Sequence, residues 1–271
     1  MKVVLFCGGL GMRMREFSED IPKPMVKIGY RPILWHVMKY YAYYGHTDFV
    51  LCLGYKADTV KDYFVNYNEC VSNNFVLSGG DIKLLTSDIQ DWNISFIDTG
   101  VTSNVGQRLQ AVEDYLKNEE VFLANYADGL SDLPLTSYIN YFLQRQKVAC
   151  FLSVKPTQSF HIVRSQDDIV QGIQPVKDCG MWMNAGFFIF RKEIFRYIRD
   201  GEELVNEPFQ RLIQKGEIIS PQYSGFWKCM DTFKEKQQLE DIYSGGEAPW
   251  EVWKSSSKKP ELTITEQLTT A

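Results

Sequence analysis

Short apolar runs alternate with helix-spaced apolar positions through the first half of the chain. Val3-Val4-Leu5-Phe6-Cys7 is a continuous apolar stretch closed by Gly8-Gly9, the pattern of a strand buried on both faces. Pro32 can open a helix at its first position. Ile33, Leu34, Val37, Met38 and Tyr41 then follow at helical spacing until Gly45 closes it. Residues 49–53 read as the next strand and 57–67 as a helix with Val60, Phe64 and Tyr67 on one stripe. Strand 93–97, helix 108–116 and a buried strand 121–124 continue the series. Such alternation implies right-handed crossovers and a mainly parallel sheet, hence an α/β fold.

The second half is less regular. Residues 148–154, 162–163, 169–173 and 186–190 read as strands, and 138–143, 194–198 and 207–215 as helices. No Gly/Ser- or Pro-rich run marks a linker, so residues 1–253 are expected to form a single domain. Residues 68–91 have weak periodicity and two adjacent glycines, which suggests an insertion or lobe over a site. Apolar periodicity is lost after Trp253, and residues 254–271 are expected to be a mobile C-terminal tail.

Composition narrows the function. Lys+Arg 29 against Asp+Glu 34 gives a net charge of −5, against the basic excess of a general nucleic-acid or anionic-membrane binder. A pocket for a small anion needs only a few well-placed cations. The six cysteines are scattered without close pairs, so neither a disulfide framework nor a zinc site is implied. The N-terminal apolar stretch is too short for a signal segment, and no run approaches a membrane span. These features lead to the expectation of a cytoplasmic protein. Tyr40, Tyr41, Tyr43 and Tyr44 form an aromatic cluster that would permit a subunit interface.

The candidate chemistry begins at Gly8-Gly9-Leu10-Gly11-Met12-Arg13, directly after the first strand. Glycines let the backbone approach a ligand and aim N–H groups at it. A dinucleotide fingerprint would need a glycine at position 14, which is Met14, and no Gly-Lys-Ser/Thr follows for a Walker loop. Arg13 and then Pro22-Lys23-Pro24-Met25 add two cations to one glycine-rich excursion, the combination a triphosphate requires. A tight strand-exit turn with solvated charges is the plainer alternative.

Gly-Gly-x-Gly-x-Arg followed by Pro-Lys-Pro-Met resembles the signature of the sugar-phosphate nucleotidyltransferases. Within that family the chain is most similar to the glucose-1-phosphate cytidylyltransferase type. The likeness extends over roughly residues 3–253. It includes Arg31-Pro32-Ile33-Leu34-Trp35-His36, Asp98-Thr99-Gly100, Gly106-Gln107-Arg108-Leu109, Tyr126-Ala127-Asp128-Gly129, Asn184-Ala185-Gly186-Phe187-Phe188, Gly225-Phe226-Trp227 and Met230-Asp231-Thr232. The resemblance implies a Rossmann-like fold with a central mixed, mainly parallel sheet flanked by helices. It also implies CTP and Mg²⁺, a small phosphorylated acceptor and a homo-oligomer. Arg13 and Lys23 would be the catalytic cations, with Gly8, Gly9, Gly11 and Arg108 on the nucleotide, Asp128 and Asp231 on the metal, and Asn184 on the sugar.

The chemistry suits that set. An anionic phosphate oxygen of the acceptor attacks the α-phosphorus of CTP and pyrophosphate leaves, so no general base is required. Positioning and charge stabilisation carry the rate, which calls for acidic metal ligands and cations. Asp128 also reads as a turn residue before Gly129, Asp231 as the N-cap of a helix from Phe233, and Asn184 as a buried structural amide.

Four departures from the family pattern stand out. Met12 replaces a threonine and Gln107 a glycine. Phe160-His161 stands where the family has Phe-Gly, and Gln174-Pro175-Val176 where it has Glu-Lys-Pro, with Lys177 just beyond. His161 and Lys177 are therefore candidates to contact the acceptor. The leading expectation is CMP transfer from CTP to glucose 1-phosphate or a similar sugar 1-phosphate. The alternatives are the same chemistry on a different, non-sugar phosphate such as a phosphorylated amino acid or polyol, and a non-catalytic nucleotide-binding protein.

Overall fold

The computed structural model describes residues 1–9, 21–157 and 160–254. Gly11, Met12 and Arg13 lie outside the described residues, as does the expected tail from residue 255 onward.

In chain order the first strands and helices are β1 (Val3–Phe6), β2 (Lys27–Ile28), β3 (Arg31–Pro32), α1 (Ile33–Tyr43), β4 (Asp48–Leu53) and α2 (Ala57–Val65). Next come β5 (Phe75–Ser78), β6 (Asp81–Leu84), β7 (Asn93–Asp98), α3 (Val105–Ala111), α4 (Glu113–Leu116), β8 (Val121–Asn125) and β9 (Gly129–Ser131). The second half contains α5 (Leu135–Arg145), β10 (Ala149–Val154), β11 (His161–Gln166), β12 (Ile169–Pro175), β13 (Met183–Arg191) and α6 (Glu207–Gln214). The last elements are β14 (Ile218–Ile219), β15 (Gln222–Tyr223), β16 (Trp227–Cys229) and α7 (Phe233–Ser244).

The central sheet has the order β14-β10-β13-β8-β1-β4-β7, with β15 also paired to β10. β13 is antiparallel to both neighbours, and every other pair is parallel. The expected mixed, mainly parallel sheet is therefore present. Val3 and Leu5 of β1 join the core on one face and Val4 and Phe6 the core on the other, which is why its sequence is apolar without alternation. α1, α2, α5 and α7 pack on the first face, and α3, α4 and α6 on the second. No helix among the described residues is long and apolar enough to cross a membrane.

Several expectations shift. The helix expected over 108–116 starts earlier and breaks at Val112 into α3 and α4, and the one expected over 194–198 is a 3-10 segment, Lys192–Tyr197. Residues 68–91 contain the β5–β6 hairpin, which pairs with no strand of the central sheet. Tyr40 and Tyr41 are core residues rather than surface aromatics, at 3% and 1% exposure. Tyr40 donates its hydroxyl to Leu133 O at 2.6 Å, and Tyr41 accepts from Asn125 at 3.0 Å. α1 is buried along most of its circumference, so two further ring positions turn inward.

From β1 the chain proceeds to β4 and β7 on one side, then crosses to β8 on the other. The loops leaving β1 and β8 therefore diverge at their carboxyl ends. In open α/β sheets this switch point forms the ligand crevice.

Candidate active site

Asp128 is delivered by a strained turn off β8. Asn125, fully buried, accepts from the Ala127 N–H at 3.1 Å and donates to the Tyr41 hydroxyl at 3.0 Å. Ala127 sits at φ 63°, a left-handed conformation that costs a non-glycine residue about 1 kcal/mol. The Asn125 side chain holds it there, and Asp128 projects toward the crevice. Asp231 reaches the same place by a separate route. β16 lies antiparallel to β9, with Cys229 opposite Gly129, and the Met230 N–H donates to Asp128 O at 3.0 Å. That short ladder joins two carboxylates that are remote in sequence.

Asp231 is not the helix N-cap. Thr232 caps α7, its hydroxyl accepting from the Glu235 N–H at 3.3 Å, and the Glu235 carboxylate accepts from the Thr232 and Asp231 N–H groups at 2.9 Å each. The Asp231 side chain faces the crevice instead. Lys23 lies there, in the 3-10 turn Lys23–Met25, with Pro22 before it and Pro24 and Met25 buried as its anchor. Its Nζ donates to Asp128 Oδ2 and to Asp231 Oδ1, each at 2.5 Å. Burial alone would lower the Lys23 pKa. The two carboxylates outweigh it and hold the ammonium above its ordinary value. Burial pushes the Asp128 carboxyl up, against the pull of Lys23.

One ammonium between two carboxylates leaves the cluster a net charge of −1. Among the described residues no three His, Cys, Asp or Glu side chains converge as a metal cage. Two carboxylates on fixed elements, with remaining ligands to come from water and phosphate, suit Mg²⁺ rather than zinc. The residues present fit that ion.

Gly8 and Arg108 form the wall beside it. Arg108 lies within α3, behind an Asn104 cap whose partner is Gln107, so the residue that departs from the family pattern closes a capping box. The Arg108 guanidinium is 3% exposed. It donates to Gly8 O at 2.9 Å, Leu53 O at 3.0 Å, Thr99 Oγ1 at 2.7 Å and Val101 O at 3.4 Å. It ties together the chain leaving β1, β4 and β7, and it holds the glycine loop from behind rather than presenting its charge to the crevice. A Cβ at Gly8 would lie 2.0 Å from Arg108 Nη1, so any side chain there would displace the guanidinium from its carbonyl partners. Gly9 is exposed at the edge of the described loop.

Asn184, on β13, accepts from the Gly186 N–H at 2.8 Å and donates weakly to the Tyr126 hydroxyl at 3.5 Å. It thus adjoins the turn carrying Asp128. Beyond it Val154 pairs with Met183, which sets Lys155 against Trp182, with Nζ 5.9 Å from the ring centroid. Sequence reasoning missed both residues. The only signal was an aromatic ring two positions before Asn184. His161 and Lys177 stand at the base of the β11–β12 hairpin, where His161 pairs with Pro175 and Phe160 O accepts from Val176. Both are exposed.

A doubly wound sheet with paired carboxylates and a lysine at its switch point defines a nucleotide-handling enzyme, and the family profile of nucleotidyl transferases matches residues 2–228. The chain belongs to that family. It is 37% identical to the glucose-1-phosphate cytidylyltransferase of Salmonella typhi over 93% of this chain and all of that one. Its fold matches UDP-glucose pyrophosphorylase complexed with UDP-glucose at a TM-score of 0.67, with 15% identity over 90% of this chain and 98% of that one. It also matches HddC from Yersinia pseudotuberculosis, complexed with GMP-PN, at a TM-score of 0.62, with 20% identity over 89% of this chain and 99% of that one.

Proposed function

We propose that this chain transfers the cytidylyl group of CTP to glucose 1-phosphate or a similar sugar 1-phosphate, giving a CDP-linked sugar and pyrophosphate. The observation that carries the reading is the convergence of Lys23, Asp128 and Asp231 at the switch point, on a chain so similar to a glucose-1-phosphate cytidylyltransferase. A phosphate oxygen of the acceptor forms a bond to the α-phosphorus, and the bond from that phosphorus to the β-phosphate oxygen breaks. The attacking oxygen is already anionic, so no side chain need remove a proton.

Asp128 and Asp231 would hold Mg²⁺, which when bound offsets charge on the phosphates. Lys23 offers its ammonium to the same phosphates, and Arg13 is proposed to join it. Gly8 and Gly9 let the triphosphate approach the backbone, with Arg108 fixing the Gly8 carbonyl from behind. On the acceptor side the Asn184 amide meets the sugar, and Lys155 supplies a cation for its phosphate, with Trp182 as the surface beneath. His161 and Lys177 come within reach if the hairpin folds toward the crevice. The reading includes a cytoplasmic homo-oligomer. Apolar residues exposed on the two hairpins, among them Leu77, Ile82, Ile169 and Ile173, offer surface for assembly.

A second reading keeps CTP and changes the acceptor to a non-sugar phosphate. The exposed Phe160-His161 pair favours it, since it departs from the pattern the chain otherwise follows. Pyrophosphate release with Mg²⁺, glucose 1-phosphate and each of the four nucleoside triphosphates separates these readings. Release with CTP alone is expected. Release with another nucleotide would overturn the base assignment, and CTP binding without release would favour the second acceptor.

A further inference from the structure

We propose that Lys23 is the resident counter-ion of the Asp128–Asp231 pair and must leave it before a divalent cation can enter, so that metal and nucleotide bind as one event. The proposal rests on the reading above that these carboxylates hold the metal.

The geometry makes the two cations exclusive. The Lys23 Nζ stands 2.5 Å from an oxygen of each carboxylate. A magnesium ion held by Asp128 and Asp231 would draw on the same carboxylate groups that now accept from the ammonium. Two positive charges cannot share them. With the ammonium in place the cluster carries only −1, a weak attraction for an ion that gives up water reluctantly. Nucleotide-free protein therefore takes up metal poorly.

A triphosphate changes the balance. It presents oxygens that can accept the ammonium, and it brings metal already bound to its phosphates. Lys23 then exchanges carboxylate partners for phosphate partners, and the carboxylates exchange one positive charge for two. The exchange requires only a side-chain swing. Pro22 and the buried Pro24 and Met25 fix the backbone on both sides, while the four-carbon stem remains free to rotate. Partial exposure leaves room for the motion, with Lys23 at 15%, Asp128 at 21% and Asp231 at 35% side-chain exposure. The same lysine thus keeps two facing carboxylates compatible in the empty site and supplies a phosphate contact in the loaded one. Metal and nucleotide are coupled through it, and the coupling is reciprocal.

The test uses Mn²⁺ as probe on the full chain, without nucleotide, at pH 8, reading free Mn²⁺ by electron paramagnetic resonance. Lys23→Met should bind Mn²⁺ at least about tenfold more tightly than the wild type, although it loses turnover. Lys23→Arg, which keeps the charge, should bind as weakly as the wild type. Lys23→Met combined with Asp128→Asn should lose the gain, which locates it at the pair. Thermal melting confirms that each variant is folded, and Lys23→Gln replaces the methionine variant if that one is not. Mn²⁺ affinity unchanged in the folded neutral variant would overturn the proposal, as would a gain that survives Asp128→Asn. Because no CTP and no turnover enter the readout, a wrong base or acceptor assignment would leave this result standing.

Discussion

Gly8 and Asp128 follow the ends of β1 and β8, strands with both faces in the core, while Lys23 is held by the 3-10 turn between Pro22 and Pro24 and Asp231 by β16. Off the central sheet, His161 and Lys177 stand at the base of the β11–β12 hairpin, and β11 is exposed along its whole length. On the first side Asn125 fixes the Ala127 turn, Arg108 fixes Gly8, and the β9–β16 ladder fixes Asp231 against Asp128. On the second, Asn184 is tied back through Gly186 and Tyr126. Nucleotide and metal chemistry needs placement to a fraction of an ångström, and buried strand ends provide it. On the proposed reading, acceptor choice can be altered at an exposed joint without disturbing either core. The three departures that fall among the described residues follow the same division. Gln107 is absorbed into a helix cap, while the Phe160-His161 and Gln174-Pro175-Val176 changes fall at the hairpin joints.

The contrast predicts unequal responses to substitution. Asp128→Asn should lower kcat by about a thousandfold with little change in the KM for the acceptor, because it removes charge stabilisation from the reacting phosphates. Steady-state kinetics would show the split, and a raised KM with kcat unchanged would place Asp128 outside the chemistry. Arg108→Met should destabilise the fold by about 3 kcal/mol, since Gly8 O, Leu53 O and Thr99 Oγ1 lose a buried donor. Urea denaturation measures it, and an unchanged midpoint would mean that the glycine loop is held by other means.

Away from both halves, His36 links α1 to Trp250. Its Nε2 donates to Ile28 O at 3.0 Å, and its Nδ1 accepts from the Trp250 indole at 3.3 Å. Burial lowers its pKa to about 4. The unfolded chain therefore takes up a proton as pH falls below about 6.5, whereas the folded protein does not until about 4. Stability present above pH 6.5 should decline progressively down to pH 4, by up to about 3 kcal/mol from this group. A denaturation series in that window, compared with His36→Gln, would reveal the difference as a flatter profile in the variant. The smallest effect belongs to the acceptor side. Lys155→Ala should raise the acceptor KM about tenfold, or about 1.4 kcal/mol, and leave the CTP KM unchanged.

What the sequence disclosed follows the same physical division. The main strands and helices of the first half were legible because each is a continuous apolar run or carries a helix-spaced apolar face. Lys23, Asp128 and Asp231 were legible as residue types in a resembling pattern. Their convergence was not, because it depends on β9 and β16, three-residue strands with no periodicity of their own. The alternative role of Asp231 as a helix cap is excluded by the sequence itself, since Thr232 and Glu235 spell a capping box one position later. Tyr40 and Tyr41 were read as surface because no local rule says that α1 is buried along most of its circumference. Lys155 and Trp182 are adjacent only through the β10–β13 register.

The most direct measurement is to incubate the purified chain with CTP, Mg²⁺ and glucose 1-phosphate and to separate the products by anion exchange. CDP-glucose and pyrophosphate should appear in equal amounts, and neither should appear with Asp128→Asn. CTP binding at a folded site with no CDP-linked product would contradict the assignment.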